Sequence, residues 1–144
     1  MIVDTLKQQY VDDVDQINRL SFSDPWSKKL IAEDMSNPNC YYVVAVEGGQ
    51  AVGYAGITDI AGEANITNIA VHPDWRRRGI GEMLLDNLIQ YCIANNLLLI
   101  TLEVRKSNIS AVSLYKKMGF DTEGERKGYY RDTKEDALIM TLRW

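Results

Sequence analysis

Ile69-Ala70-Val71-His72-Pro73-Asp74-Trp75-Arg76-Arg77-Arg78-Gly79-Ile80-Gly81-Glu82-Met83-Leu84-Leu85 is the stretch on which the reading of this chain turns. Residues 64–71 alternate in a β-compatible way, and Pro73 has no N–H to donate to a ladder, so a strand stops before it. From Glu82 onward Leu84, Leu85, Leu88, Ile89 and Cys92 recur at helical spacing. The turn between strand and helix holds Arg76, Arg77, Arg78, Gly79, Ile80 and Gly81. The first turn of a helix has backbone N–H groups with no internal partner, and the helix dipole adds partial positive charge there. Glycine lets a ligand approach the backbone, and the arginines add formal charge. Such a turn suits a phosphate or pyrophosphate. A basic surface turn at a helix start is the plainer reading of the same residues. A dinucleotide fingerprint is excluded because Leu84 stands where a third glycine is needed, and a Walker motif because no Gly-Lys-Ser/Thr occurs.

Working outward, residues 2–7 read as a short strand and 10–22 as a helix with Val11, Val14, Ile17 and Leu20 on one face. Residues 23–27 break the pattern. Ser27 is placed to cap a second helix that runs to about Met35. Residues 41–46, 51–60 and 64–71 read as strands, with Gly48-Gly49 and Gly62 at the turns between them. A helix over 82–95 leads into the apolar run 97–104. That run suits a strand covered on both faces, as in a parallel pairing. Asn108 opens a helix ending at Met118, with Gly119 as its cap, and 120–127 and 137–142 are the last strands. The order βααβββαβαββ predicts an α/β fold with a mixed central sheet of about seven strands and four helices, in one domain spanning 1–144.

With 144 residues, of which 46% are hydrophobic and 25% charged, the composition is that of an ordinary globular domain. No apolar run reaches the roughly 20 residues of a membrane helix, and no secretory signal is legible, so a cytoplasmic setting without membrane contact is expected. The two cysteines, Cys40 and Cys92, are too few for a disulfide framework. The net charge of −4 argues against nucleic acid as a partner. Positive charge gathers at 76–78, 116–117 and 126–127, which fits a polyanionic co-substrate on an acidic protein. No cluster of residues has metal-ligand spacing, so no metal is expected.

The pattern Arg76-x-x-Gly79-x-Gly81 after a strand resembles the pyrophosphate loop of the GNAT acetyltransferases. A second stretch resembles the same superfamily: Leu102-Glu103-Val104, Asn108, Ala111, Leu114-Tyr115 and Gly119-Phe120. The resemblance implies acetyl-CoA as co-substrate. Ile69, Ala70 and Val71 would lie along the pantetheine and acetyl group, and residues 76–82, Glu82 included, at the pyrophosphate. Asn108 would contact the cofactor, though Asn is also a preferred helix N-cap. Glu103 is a lone charge in an otherwise apolar strand, and burial would raise its pKa toward that of a useful base; a strand-end glutamate in solvent is the alternative. The resemblance makes Glu103 the proton acceptor. It makes Tyr115 the proton donor to the leaving thiolate, where the bland reading is a core aromatic. A phenol with pKa about 10 passes its proton to a thiolate whose acid has pKa about 8.5 with little uphill cost. His72, the single histidine, reads as structural.

Phe22 and Trp26 lie between the first two helices, and Tyr129 and Tyr130 lie in the last connection. The pattern Lys127-Gly128-Tyr129-Tyr130, with 135–140, resembles the branch of the superfamily that acetylates protein N-termini. Within that branch it is most similar to the enzymes that modify the N-terminal alanine of ribosomal small-subunit protein number eighteen. That implies a peptide substrate held between these two loops and direct transfer in a ternary complex, since neither motif contains a cysteine. An α-amine with pKa near 8 is partly neutral at cellular pH, whereas a lysine is only about 0.1% neutral, which favours the same choice. A small amine, a protein lysine, or a non-catalytic acyl-CoA-binding module are the other readings. The sequence leaves the oligomeric state open.

Overall fold

The structure is a computed structural model that describes residues 1–23 and 25–144. Asp24, inside the expected break, lies outside the described residues. The elements follow the order β1 (Ile2–Thr5), α1 (Val11–Ser21), α2 (Lys28–Met35), β2 (Cys40–Glu47), β3 (Gln50–Ile60), β4 (Glu63–Val71), α3 (Ile80–Ala94), β5 (Leu99–Arg105), α4 (Ile109–Lys117), β6 (Asp121–Arg126) and β7 (Ala137–Arg143). This is the expected order. The strands form one seven-stranded sheet, β1-β2-β3-β4-β5-β7-β6. Every pairing is antiparallel except β4 with β5.

Local chemistry sets the element ends. The Ser27 hydroxyl accepts from the Leu30 N–H at 3.2 Å and caps α2. Asn108 Oδ1 does the same for α4, accepting from Ala111 N–H at 3.2 Å. Gly119 ends α4 at φ +100°, a conformation that a side chain would strain.

The sheet carries a core on each face. In β2, Val43 and Ala45 pack with α3, while Tyr42, Val44 and Val46 pack with α1 and α2, as the two-residue strand period requires. Leu84, Leu85 and Leu88 of α3 are fully buried, each contributing about 2 kcal/mol of apolar transfer free energy.

One expectation is corrected. The run 97–104 is not a strand buried on both faces. Leu97 and Leu98 precede β5, Leu98 being 66% exposed, and β5 itself alternates, with Ile100, Leu102 and Val104 inward. The reason is its partners. The parallel ladder to β4 spans only Ala64–Ile100 and Asn65–Thr101, whereas antiparallel β7 pairs along the whole strand.

Two irregularities position the site. Past Asn65 and Thr101, β4 and β5 separate and a groove opens between them. In β4 the register against β3 shifts between Ile57–Ile66 and Gly56–Asn68, which leaves Thr67 as an extra residue.

Candidate active site

The groove has a volume of about 1300 Å3. Single-ligand sites run to about 1,000 Å3, so this one has room for a large co-substrate and a second molecule. It is lined along one side by β4 residues 66–71 and on the other by Leu102 to Arg105 of β5. The start of α3 lines it too, as do Phe22, Ser23 and Trp26 and residues of the 129–135 connection.

The α3 end is built to take an anion. The first helical hydrogen bond runs from Met83 N–H to Gly79 C=O, leaving the N–H groups of Ile80, Gly81 and Glu82 without helical partners. Gly79 at φ +79° and Arg77 at φ +62° turn the chain sharply into the helix. A Cβ at Gly81 would meet Leu114 of α4 at 3.4 Å, an ordinary van der Waals contact.

The arginines divide their work. Arg77 lines the groove. Arg76 also lines it, but its guanidinium is engaged: Nε donates to the Val71 carbonyl at 3.0 Å and Nη2 to Ser21 Oγ at 3.4 Å, tying the end of β4 to α1. Arg78 does not line the groove; it stacks over Trp75, 4.8 Å from the ring centroid. Glu82 pairs with Lys117 of α4 at 3.0 Å.

Ile69, Ala70, Val71, Glu103, Asn108 and Tyr115 all line this groove. Tyr115 is 5% exposed and lines the groove. Burial pushes this phenol well above its ordinary value, with Tyr130 nearby adding to the effect. The proton therefore stays on Tyr115 at neutral pH, and its transfer to a thiolate requires that the same burial raise the thiol too. Glu103 is not an isolated buried carboxylate. Its side chain is 20% exposed and Oε1 accepts from Arg126 Nε at 3.3 Å, a contact that reaches over the intervening strand β7.

At the far end Phe22 and Trp26 stand on one wall, Tyr129 and Tyr130 on the other. Asn18, fully buried on α1, fixes the first wall: Nδ2 donates to the Trp26 carbonyl at 3.0 Å, and Oδ1 accepts from Tyr54 Oη at 3.1 Å. Arg105 fixes the second. It donates to Asp132 at 2.8 Å and Thr133 at 3.3 Å, pairs with Glu135 at 3.6 Å, and lies 4.1 Å above the Tyr130 ring. Burial lifts the Tyr130 phenol to about 12.

Sequence reasoning missed Arg105, Asn18, Asn68 and the acidic pair Asp132 and Glu135. Arg105 carried a signal, a cation ending a strand two residues after Glu103. Asn18 carried one as well, since it interrupts the apolar face of α1 beside Ile17.

A sheet split between two parallel strands, with an anion-binding helix start at one end and an acid and a phenol at the split, defines an acyltransferase site. The chain belongs to the Acetyltransferase (GNAT) family, which it matches over residues 11–120, and it is an N-acetyltransferase. A Bacillus subtilis protein, provisionally named a [ribosomal protein bS18]-alanine N-acetyltransferase, is 40% identical over 139 residues, covering 96% of this chain and 92% of its own. The Escherichia coli K12 [ribosomal protein bS18]-alanine N-acetyltransferase is 36% identical over 120 residues, covering 82% of this chain and 80% of its own. A crystal structure of the Escherichia coli ribosomal-protein-S18-alanine N-acetyltransferase superposes with a TM-score of 0.90 at 31% identity, covering 99% of this chain and 92% of that one.

Proposed function

We propose that this protein transfers the acetyl group of acetyl-CoA to the α-amine of a protein N-terminus. The expected acceptor is the N-terminal alanine of ribosomal protein bS18, in the cytoplasm. The observation that carries the reading is the two-ended groove: an anion-binding helix start at one end, paired tyrosine and aromatic walls at the other, and Glu103 with Tyr115 between them. The named relatives support the same acceptor.

The fit to acetyl-CoA rests on the unpartnered N–H groups of Ile80, Gly81 and Glu82, with Arg77 beside them, for the pyrophosphate. The backbone of 69–71, which lines the groove, would hold the pantetheine. What the bound thioester supplies is an activated acyl carbon. Glu103 accepts the proton of the attacking amine as the C–N bond forms. Tyr115 donates its hydroxyl proton to the departing sulfur as the C–S bond breaks. The amine is thereby acylated in one ternary complex. Asp132 and Glu135, two carboxylates on the second wall against the single Arg105, favour a basic peptide.

The test is acetyl-CoA consumption with a lysine-free peptide beginning in alanine, beside the same peptide with a blocked N-terminus. Turnover with the first alone agrees with the proposal, and equal turnover or none with both contradicts it.

A further inference from the structure

The irregularity in β4 leaves one amide with nothing to bind. Ile66 and Ile69 pack with the α3 core, and Ala70 with the α1–α2 core. Strand alternation from both sides therefore turns Thr67 and Asn68, in succession, to the α1–α2 face. Thr67 is satisfied there, its Oγ1 lying 3.0 Å from Tyr42 Oη and 3.3 Å from the Gly56 carbonyl. Asn68 is not: Nδ2 is buried and has no hydrogen-bond partner among the described residues. Such a donor costs about 1–3 kcal/mol when left unmade, and native proteins rarely carry one without a use.

Its place says what the use is. Asn68 lines the groove, as Glu103 does. Asn65 pairs with Thr101, so 67–68 and Glu103 stand level across the gap where β4 and β5 part. Glu103 alternates with the inward Leu102 and Val104, so it lies on the same sheet face as Asn68. We infer that Asn68 donates to the carbonyl oxygen of the acceptor's first residue while Glu103 takes the amine; this rests on the N-terminal reading above. At a peptide N-terminus the reactive nitrogen and a carbonyl carbon share one Cα. A lysine ε-amine has methylenes in that position and offers no acceptor. Asn68 thus reads an α-amino acyl unit rather than an amine alone, and a polar site left unpaired by the wrong substrate discriminates more strongly than an apolar one.

The experiment compares two acceptors: a lysine-free peptide beginning in alanine, and its analogue with the first peptide bond replaced by a trans-alkene. The analogue keeps the shape and deletes the carbonyl. With kcat/KM expressed per neutral amine, wild type favours the peptide by about tenfold, the value of one hydrogen bond to a buried donor. In Asn68→Ala the peptide falls to the level of the alkene, while the alkene and the KM for acetyl-CoA stay within about twofold. Asn68→Leu, which keeps the volume and has no donor at any pH, gives the same loss of preference and guards against a cavity or folding defect. An equal fall on both acceptors, or a preference that survives both substitutions, overturns the assignment. A wild-type enzyme that acetylates neither acceptor overturns it together with the N-terminal reading. That failure is a wild type without turnover, whereas failure of the Asn68 assignment leaves the wild type active and shows as a missing preference for the peptide or in the variants.

Discussion

Ser23 Oγ donates a hydrogen bond to Asp132 Oδ2 at 3.0 Å, joining residues 109 positions apart across the mouth of the groove. Asp132 Oδ2 also accepts from Arg105 Nη2 at 2.8 Å, so one carboxylate ties the α1–α2 loop, the β6–β7 connection and the end of β5. Exposed pairs of this kind are worth at most about 1 kcal/mol to the fold. Their effect belongs to the substrate. Asp132→Ala is expected to raise the KM for peptide by about 3- to 10-fold and to leave the KM for acetyl-CoA and the melting temperature nearly unchanged. Steady-state kinetics with each substrate varied in turn checks this.

Tyr115→Phe removes one hydroxyl and keeps the buried ring, so stability should change little. The turnover number should fall by about 10²- to 10⁴-fold, the usual contribution of a positioned acid, with acetyl-CoA binding by calorimetry retained. An unchanged turnover number would refute the acid assignment.

Glu103→Gln keeps the shape of the side chain and removes the proton acceptor. Turnover at pH 7 is expected to drop by a factor of the same order, about 10²- to 10⁴-fold. A peptide whose amine is largely neutral, assayed near pH 9, should recover part of the loss, because hydroxide is then available to take the proton that leaves nitrogen as the C–N bond forms. No difference between the two pH values would mean that Glu103 does not take that proton.

Burial raises the phenols of Tyr42, Tyr54 and Tyr115 above their ordinary values. Below about pH 9 these groups are protonated in both folded and unfolded chains and contribute no pH dependence. Above about pH 10 the unfolded chain loses their protons first, so stability falls as pH rises. Urea unfolding at pH 8 and pH 10.5 should show a lower midpoint at the higher value. A midpoint that rises with pH would contradict the buried, protonated state of these tyrosines.

Gly56 is required by Tyr42. A Cβ there would sit 2.4 Å from the Tyr42 ring, which is 6% exposed and hydrogen-bonded to Asp34 at 2.9 Å. Gly56→Ala should cost about 1–3 kcal/mol and lower the melting temperature by about 3–10 °C, read by calorimetry.

Much of this was legible in the chain. Pro73, the glycines at 79 and 81 and the leucine spacing of α3 act locally, so the strand, turn and helix follow from the residues themselves. Ser27, Asn108 and Gly119 mark helix ends for equally local reasons. Glu103 stands out as a charge in an apolar strand, whereas Tyr115 is marked only by the resemblance of the 102–120 pattern to the superfamily. The failures are long-range. The run 97–104 looks doubly buried until the brevity of the β4–β5 ladder is known, and that brevity is a property of the whole sheet. Arg78 looks like its neighbours until Trp75 takes it. The unpaired amide of Asn68 exists only because the register of β4 against β3 slips at Gly56, which no spacing in β4 announces.

The most direct measurement is where the acetyl group lands on one peptide offering both choices, a free N-terminal alanine and an internal lysine. Fragment mass spectra after limited turnover with acetyl-CoA locate it. The account predicts label on the α-amine with the lysine untouched. Label on the lysine with the N-terminus free would contradict it.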